Sequence, residues 1–145
     1  MNANQMWNLF KLANPNLEDG YEAWGFGVDA DLLASLVLKG EKTATSSLYL
    51  LYETESHPLP KTGSYHIILD SNENAICIIE ITKVYIEEFK NISEEHAYKE
   101  GEGDKSLQYW RSVHDKFFSQ CMLEVGKEFT DNMKVVCEEF KVVYK

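Results

Sequence analysis

The chain has 145 residues, of which 44% are hydrophobic and 26% are charged, so it is long enough to form one globular domain with its own core. Its formal net charge is −10 with only 14 lysines and arginines, and no stretch of the chain is rich in basic residues. Binding to a long duplex needs several basic contacts with phosphates, so this composition argues against duplex nucleic acid as a partner. The composition is compatible with a nucleoside, a nucleotide or a short single strand of RNA as the ligand.

The cysteines and the apolar runs bear on the cellular compartment. No apolar run approaches the roughly 20 residues that span a bilayer, and the N-terminus has no basic and apolar signal region. Cys77, Cys121 and Cys137 are far apart and lie in apolar patterns, which predicts buried free thiols and no zinc site. We therefore expect a cytoplasmic protein without a membrane partner.

In the first half of the chain the apolar spacing predicts two helices and a strand. A short helix is expected over residues 5–13 and a second over 31–39, where Gly40 ends it. The next apolar segment, 43–52, is predicted to be a strand, and the polar segment 53–62 with its two prolines is predicted to be a loop.

In the second half, the sequence predicts a β-hairpin and a C-terminal strand rich in strand-forming residues, with two helices between them. The expected strands are 64–70, 75–86 and 134–144, and the expected helices are 93–99 and 104–123. No repeat and no linker divides the chain, so all of these elements are assigned to one domain.

The segment after the second helix carries the first candidate site. Lys42 stands three residues before Thr45, in a sequence with several hydroxyl side chains. A single cation beside hydroxyls suits binding of an oxyanion or a phosphate, or activation of a hydroxyl nucleophile. The alternative is a surface lysine in a polar turn.

This segment and three others resemble one known family. Residues 40–45 resemble the G-x-K-x-x-T signature of the ASCH superfamily, whose domains have a PUA-like fold. The other resembling segments are Ala23–Gly27, Lys61–Tyr65 and Glu100–Leu107, the last followed by Trp110, Arg111 and His114. The resemblance covers roughly residues 20 to 144. It implies an α+β fold, a small mixed β-barrel with three or four flanking helices, over a single domain 1–145 with a helical extension at about 1–20.

The resemblance also implies a catalytic set. One member of the superfamily is an amidohydrolase of an N-acylated cytidine that uses a lysine, a threonine and a glutamate. Carried over by position, these are Lys42, Thr45 and Glu80. In this scheme Lys42 takes the proton of Thr45, Thr45 attacks the acyl carbon and Glu80 orients groups or shuttles the proton.

The sequence around Glu80 supports a pairing with Lys42. Glu80 is the only charged residue between Ala75 and Thr82, and alternation places it on a face with apolar side chains. A buried carboxylate needs a partner, and Lys42 is the candidate. The alternatives are a purely structural ion pair or an exposed Glu80.

The acidic residues of segment 100–104 indicate an alternative activity. Glu100, Glu102 and Asp104 could hold Mg²⁺ beside a phosphate bound by Lys42, as in a metal-dependent ribonuclease, an activity also proposed within ASCH proteins. The alternative is structural, with Asp104 capping the next helix and the glycines forming the turn. Under the amidohydrolase interpretation no metal or cofactor is required.

A further set of residues is expected to bind the ligand. Aromatic side chains and a guanidinium can stack on a base, and carboxylates can accept hydrogen bonds from its exocyclic amine. The candidates are Trp24, Phe26, Ser46, Ser47, Glu102, Asp104, Trp110 and Arg111. Core packing is the alternative for Trp110, and a structural hydrogen bond the alternative for His114. The expected function is binding of an RNA-derived or nucleoside ligand between 40–47 and 100–111, with amidohydrolysis, metal-dependent ribonuclease activity or non-catalytic RNA binding as the competing roles.

Overall fold

The computed structural model describes residues 1–18 and 20–145 and has an α+β fold in which helices flank one curled, five-stranded mixed sheet. The strands are β1 (Glu22–Trp24), β2 (Ala44–Leu48), β3 (Tyr65–Leu69), β4 (Ala75–Glu88) and β5 (Lys134–Tyr144). The helices are α1 (Ala3–Ala13), α2 (Ala30–Leu38), α3 (Tyr49–Thr54), α4 (Glu94–Glu100) and α5 (Leu107–Glu124). The predicted fold class is confirmed, although the described residues form five α-helices rather than three or four.

The strand order places β4 and β5 at the centre of the sheet. The order is β1-β3-β4-β5-β2, in which β1 and β3 are parallel and all other neighbours are antiparallel. The β4–β5 ladder shifts register after Ile78 and again after Ile81. Such irregularities increase the local twist, and here they accompany the curling of the sheet.

Opposite faces of β4 pack on different helices. Ile78 belongs to a cluster with Trp7 and Phe10 of α1. Ile79 belongs to a cluster with Ala34 and Val37 of α2. Because side chains alternate along a strand, these two neighbouring residues of β4 lie on opposite sides of the sheet.

Helix α5 covers a third apolar cluster. Trp110, Phe118 and Met122 of α5 pack with Leu48 of β2 and Cys137 of β5. Among the described residues, no helix is both long enough and apolar enough to cross a membrane.

The strand predicted over 43–52 is divided between β2 and α3. Leu48, the last residue of β2, is paired with Val135, and β5 begins at Lys134. A longer β2 would have no partner for its peptide groups, so the chain satisfies them locally in a helix.

The last helix begins later than its predicted start at Asp104. The N-cap is Ser106, whose hydroxyl accepts a hydrogen bond from the Tyr109 amide at 3.0 Å. Asp104 accepts a hydrogen bond from the Ser106 amide at 2.9 Å. Asp104 therefore stabilises the turn before the cap and is not the cap itself.

Candidate functional site

Lys42 is anchored by the end of α2. Gly40 adopts φ 77°, which lets the chain reverse, and the Lys42 amide donates a hydrogen bond to the Leu36 carbonyl at 3.1 Å. The Lys42 residue is 1% exposed. Lys42 is therefore not the surface lysine of a polar turn.

The Lys42 ammonium lies between two carboxylates from the segment after α4. Its Nζ is 3.1 Å from Glu100 Oε1 and 2.9 Å from Glu102 Oε2, and it also donates to the Glu100 carbonyl at 3.4 Å. The Phe26 ring covers it, with Nζ 5.2 Å from the ring centroid. Glu100 is fully buried, whereas the side chain of Glu102 is 17% exposed. Lys42 and these two carboxylates together therefore carry a net negative charge, and the ammonium is already paired with both of them.

The second oxygen of Glu100 collects three further donors. Glu100 Oε2 accepts hydrogen bonds from the Ser46 hydroxyl at 2.6 Å and from the Trp110 indole N–H. His96 Nε2 lies 3.1 Å from the same oxygen. One carboxylate thus ties together β2, α4 and α5, and we call Lys42, Ser46, His96, Glu100 and Trp110 the Glu100 network.

The electrostatics of Glu100 and His114 are coupled. Burial by itself raises the pKa of Glu100, but Lys42, His114 and His96 outweigh this and hold it well below its ordinary value. Burial likewise lowers the pKa of His114, but its contact with Glu100, 3.6 Å from Nε2 to Oε1, raises it above the ordinary value. Both shifts favour the charged forms in the folded protein.

Ser46, His96 and Glu100 do not form a hydrolase triad. Ser46 Oγ lies 2.6 Å from His96 Nε2, but Glu100 contacts the same nitrogen instead of Nδ1. In a catalytic triad the acid orients the histidine through the opposite ring nitrogen. The buried Nδ1 of His96 has no hydrogen-bond partner among the described residues. Ser46 therefore acts as a structural link, since its proton is committed to Glu100.

Two adjoining cavities open beside this network. The larger has a volume of about 690 Å³ and the smaller about 70 Å³. Both are lined by Phe26, Gly27, Thr45, Ser46 and Phe117, so they share a wall. Lys42, Glu100, Glu102 and His114 line only the smaller cavity. The larger cavity has a volume typical of small-molecule sites.

The larger cavity has an outer wall from the segment between β2 and β3. Its additional lining residues include Glu22, Trp24, Ser47, Leu51, Tyr52, Glu55, His57, Pro58, Pro60, His66 and Glu138. Residues 51–60 contribute to this cavity but not to the smaller one.

The aromatic wall of the larger cavity is held in place by hydrogen bonds. The Trp24 indole N–H donates to His66 Nδ1 at 2.9 Å, and His66 Nε2 lies 3.2 Å from the Ser64 hydroxyl. Burial lowers the pKa of His66, which favours the neutral ring that this bonding requires. Phe26 packs edge-on against Trp24 with centroids 5.1 Å apart. Trp24 and Phe26 thus line the larger cavity, which no residue of the predicted segment 100–111 reaches.

Thr45 lies at the junction of the two cavities. It lines both, as does Ser46. The Ser46 hydroxyl donates to Glu100, and the Ser47 hydroxyl lies 2.7 Å from that of Tyr52. The Thr45 hydroxyl, in contrast, makes no hydrogen bond to any described residue. It is the hydroxyl in this segment that is left available to a ligand.

Glu138 is a site residue that the sequence analysis missed. It is 5% exposed, lines the larger cavity and forms no hydrogen bond or ion pair with a described residue. On β5 it is paired directly opposite Thr45. Burial, followed by the charges of Glu22 and Glu100, raises its pKa to about 7. The alternation Val136, Glu138, Phe140 was the available signal, because it places a lone carboxylate on an apolar strand face.

The structure does not bring Glu80 together with Lys42. Glu80 lies on β4 opposite Tyr65 and Lys141, and its place in the alternation is that of Ile78, on the side of α1. Neither cavity is lined by Glu80. The carboxylates that the structure gives to Lys42 are those of Glu100 and Glu102.

Three other predicted ligand contacts lie outside the cavities. Trp110 is buried in the Glu100 network, and Arg111 donates to the carbonyls of Phe89 at 3.3 Å and Lys90 at 2.8 Å. Asp104 is exposed beside Ser106. The described residues contain no group of three histidine, cysteine or acidic side chains arranged to hold a metal ion.

Comparison with known proteins identifies the family. A model of the ASCH domain matches residues 22–144. A crystal structure of an ASCH domain from Lactobacillus crispatus is 34% identical, with a TM-score of 0.89, covering 99% of this chain and 97% of that one. A crystal structure of a protein from Enterococcus faecalis is also 34% identical, with a TM-score of 0.90 and coverage of 97% and 87%. An ASCH protein from Zymomonas mobilis shares the fold at 13% identity and a TM-score of 0.50, over 83% and 67% of the two chains.

The comparison with curated proteins gave no match. The family model and the two structures at 34% identity cover nearly the whole chain. The protein therefore belongs to the ASCH domain family.

Proposed function

We propose that the protein is an amidohydrolase that binds a nucleoside-derived ligand in the larger cavity and removes an N-acyl group from it at Thr45. The observation that carries this proposal is the position of Thr45. Its hydroxyl has no partner among the described residues, and it shares the smaller cavity with Lys42 and Glu102. A free hydroxyl that shares a cavity with a fixed cation and a carboxylate is the minimum set for acyl transfer through an ester.

The lining of the larger cavity supports a neutral ligand with an aromatic ring. Trp24, Phe26 and Phe117 supply apolar surface, whereas no lysine or arginine is among its described lining residues. Glu22 and Glu55 make the cavity acidic. A phosphate chain would be repelled here, while a nucleoside with N–H donors would be accommodated.

The proposed mechanism uses three side chains that line the smaller cavity, those of Thr45, Lys42 and Glu102. Thr45 Oγ1 attacks the acyl carbon, and its proton passes to Glu102, the partly exposed carboxylate with one oxygen not engaged by Lys42. Lys42 stabilises the negative charge that develops on the acyl oxygen. The C–N bond then breaks, the leaving amine takes the proton from Glu102, and water hydrolyses the Thr45 ester. Glu100 keeps Lys42 in place, since both its oxygens are already occupied.

The test is release of carboxylic acid from N-acylated cytidine and adenosine by the purified protein. Thr45→Ala is expected to lower the rate by roughly 1,000-fold or more, and Thr45→Ser to retain part of it. Glu102→Gln is expected to reduce turnover strongly. Glu80→Gln is the matched control, because Glu80 lies outside both cavities, and it is expected to leave turnover unchanged. EDTA is expected to have no effect.

Two outcomes would replace this proposal. Mg²⁺-dependent cleavage of single-stranded RNA that EDTA stops, without hydrolysis of the acylated nucleosides, would indicate a ribonuclease. Nucleoside or RNA binding without turnover of either substrate would indicate a non-catalytic binding module.

A further inference from the structure

We propose that Glu138 is the residue that recognises the ligand's heterocycle, its neutral carboxyl group donating a hydrogen bond to a ring nitrogen and accepting one from the adjacent exocyclic N–H. This inference rests on the proposed function. It narrows the substrate class to bases that carry this amidine edge, as cytosine and adenine do.

The position of Glu138 is that of a ligand contact rather than a structural residue. The side chain is nearly fully buried and lines the larger cavity, yet no described residue satisfies its oxygens. A buried carboxyl without a partner is costly, and a ligand that hydrogen-bonds to it recovers that cost.

Glu138 is also placed next to the reaction that we assign to Thr45. The two residues are directly opposite each other on β5 and β2. Side chains so paired are about 5 Å apart at Cβ and point to the same face. An acyl carbon at Thr45 is bonded to the exocyclic nitrogen of the substrate, so this nitrogen and the ring nitrogen beside it come within reach of Glu138.

The surroundings of Glu138 favour its neutral form. The titratable groups that line the same cavity or act on the charge of Glu138 are Glu22, Tyr52, Glu55, His57, His66 and Glu100. Glu22 and Glu100 oppose a further negative charge, and His66 is held neutral by its bond from Trp24. Burial and these charges raise the pKa of Glu138 to about 7, so it is mostly protonated in mildly acidic solution and about half protonated at neutral pH.

A neutral carboxyl group distinguishes between base edges. It offers one donor and one acceptor side by side, which matches the ring nitrogen and N–H of cytosine or adenine. An ionised carboxylate offers two acceptors and repels the ring nitrogen. It fits instead the two adjacent N–H groups of guanine. Binding of cytidine and adenosine therefore requires the proton on Glu138, whereas binding of guanosine does not.

The experiment measures Kd for cytidine, adenosine and guanosine by NMR titration of the full chain at about pH 6 and about pH 8.5. For cytidine and adenosine, Kd of the wild-type protein is expected to rise on the order of 30-fold between the two pH values, because the neutral fraction of Glu138 falls by that factor. For guanosine no such weakening is expected.

Two substitutions separate the role of Glu138 from other pH effects. Glu138→Gln mimics the neutral carboxyl group, so cytidine binding should persist at the higher pH with less than about threefold change. Glu138→Met keeps the volume but removes both hydrogen bonds, and it should weaken binding at both pH values by roughly 10-fold or more. Glu22→Gln is the matched control, since it removes a carboxylate from the same cavity and should keep a pH-dependent Kd.

The outcomes distinguish this inference from the proposed function. Nucleoside binding that Glu138→Met leaves intact, or a pH dependence that Glu138→Gln retains, would overturn the role of Glu138 alone. Absence of any nucleoside binding at either pH, with thermal denaturation showing folded protein, would overturn both.

Discussion

The ammonium of Lys42 and the carboxylate of Glu100 lie 3.1 Å apart, and both side chains are about 1% exposed. Removal of one partner would leave the other as a buried charge with too few compensating contacts. Lys42→Met is therefore expected to lower the free energy of unfolding by about 3–5 kcal/mol, measured by urea denaturation near neutral pH. Lys83→Met is the control, because Lys83 is 62% exposed and 3.9 Å from Glu139, and it should cost less than about 1 kcal/mol. Equal losses in the two variants would contradict this account.

A second prediction concerns the alkaline side of the stability profile. The pKa of His114 is raised above 6.5 in the folded protein, so its contribution is fully present below 6.5 and is lost as the pH rises through the folded pKa. The difference in unfolding free energy between wild type and His114→Gln should therefore be largest in mildly acidic solution and shrink at higher pH. Denaturation at several pH values checks this. A difference that does not vary with pH would show that His114 acts only through packing.

A third prediction concerns the acidic side of the stability profile, where the contribution of Glu100 is lost as the pH falls. Its pKa lies well below 4.5, so its contribution is present above 4.5 and is lost as the pH falls through the folded pKa. Acid denaturation of Glu100→Gln should accordingly be shallower than that of wild type, although the variant is less stable at neutral pH. Parallel acid profiles for the two proteins would argue against this coupling.

Glu138 should behave as a destabilising group at neutral and alkaline pH. Its pKa rises from 4.5 unfolded to about 7 folded, so the cost is absent below 4.5, grows between the two values and is complete above 7. The difference between these two pKa values corresponds to roughly 3 kcal/mol. This is the upper bound for the increase in unfolding free energy that Glu138→Gln can give above neutral pH. The neighbouring substitution Glu139→Gln should give no gain, because Glu139 already binds Lys99 at 3.1 Å. Destabilisation of Glu138→Gln above neutral pH would refute the prediction.

Gly101 joins the two carboxylates that hold Lys42, and its geometry allows a further test. It adopts φ 72°, and a Cβ there would lie 2.1 Å from the Glu41 carbonyl oxygen. Gly40 has a similar φ of 77° but open space around it. Gly101→Ala is expected to cost at least about 3 kcal/mol in unfolding free energy and to abolish turnover, whereas Gly40→Ala should cost about 1 kcal/mol. Similar costs for both would mean that the backbone near Gly101 can shift freely.

The elements that local pattern determines were predictable from sequence. Strand β5 has the predicted bounds, 134–144, because residues that favour strands, Val and the aromatic Phe140 and Tyr144, recur over its length. Helix α4, predicted over 93–99, spans Glu94–Glu100, and Ser93 is its N-cap, whose hydroxyl accepts a hydrogen bond from the His96 amide at 3.1 Å. Strand β1 and helix α3 were not predicted, since each depends on where a partner strand begins or ends.

The candidate site was predictable only in part. The positions of Lys42 and Thr45 follow from a motif within one short segment, so they could be read locally. The partner of Lys42 could not be predicted locally, because Glu100 is 58 residues away in the chain. The contact between them depends on how α4 packs on β2. The alternation of β4 gave Glu80 its face, but whether that face meets α1 or the site is decided by the packing of the whole sheet.

The walls of the two cavities come from different parts of the chain. The Glu100 network lies at the junction of β2, α4 and α5. The outer wall of the larger cavity is a short segment, 51–60, which does not line the smaller cavity. Reactivity and selectivity can therefore vary separately in this domain. A graft of a different 51–60 segment would be a route to new acylated substrates while Lys42 and Thr45 stay as they are.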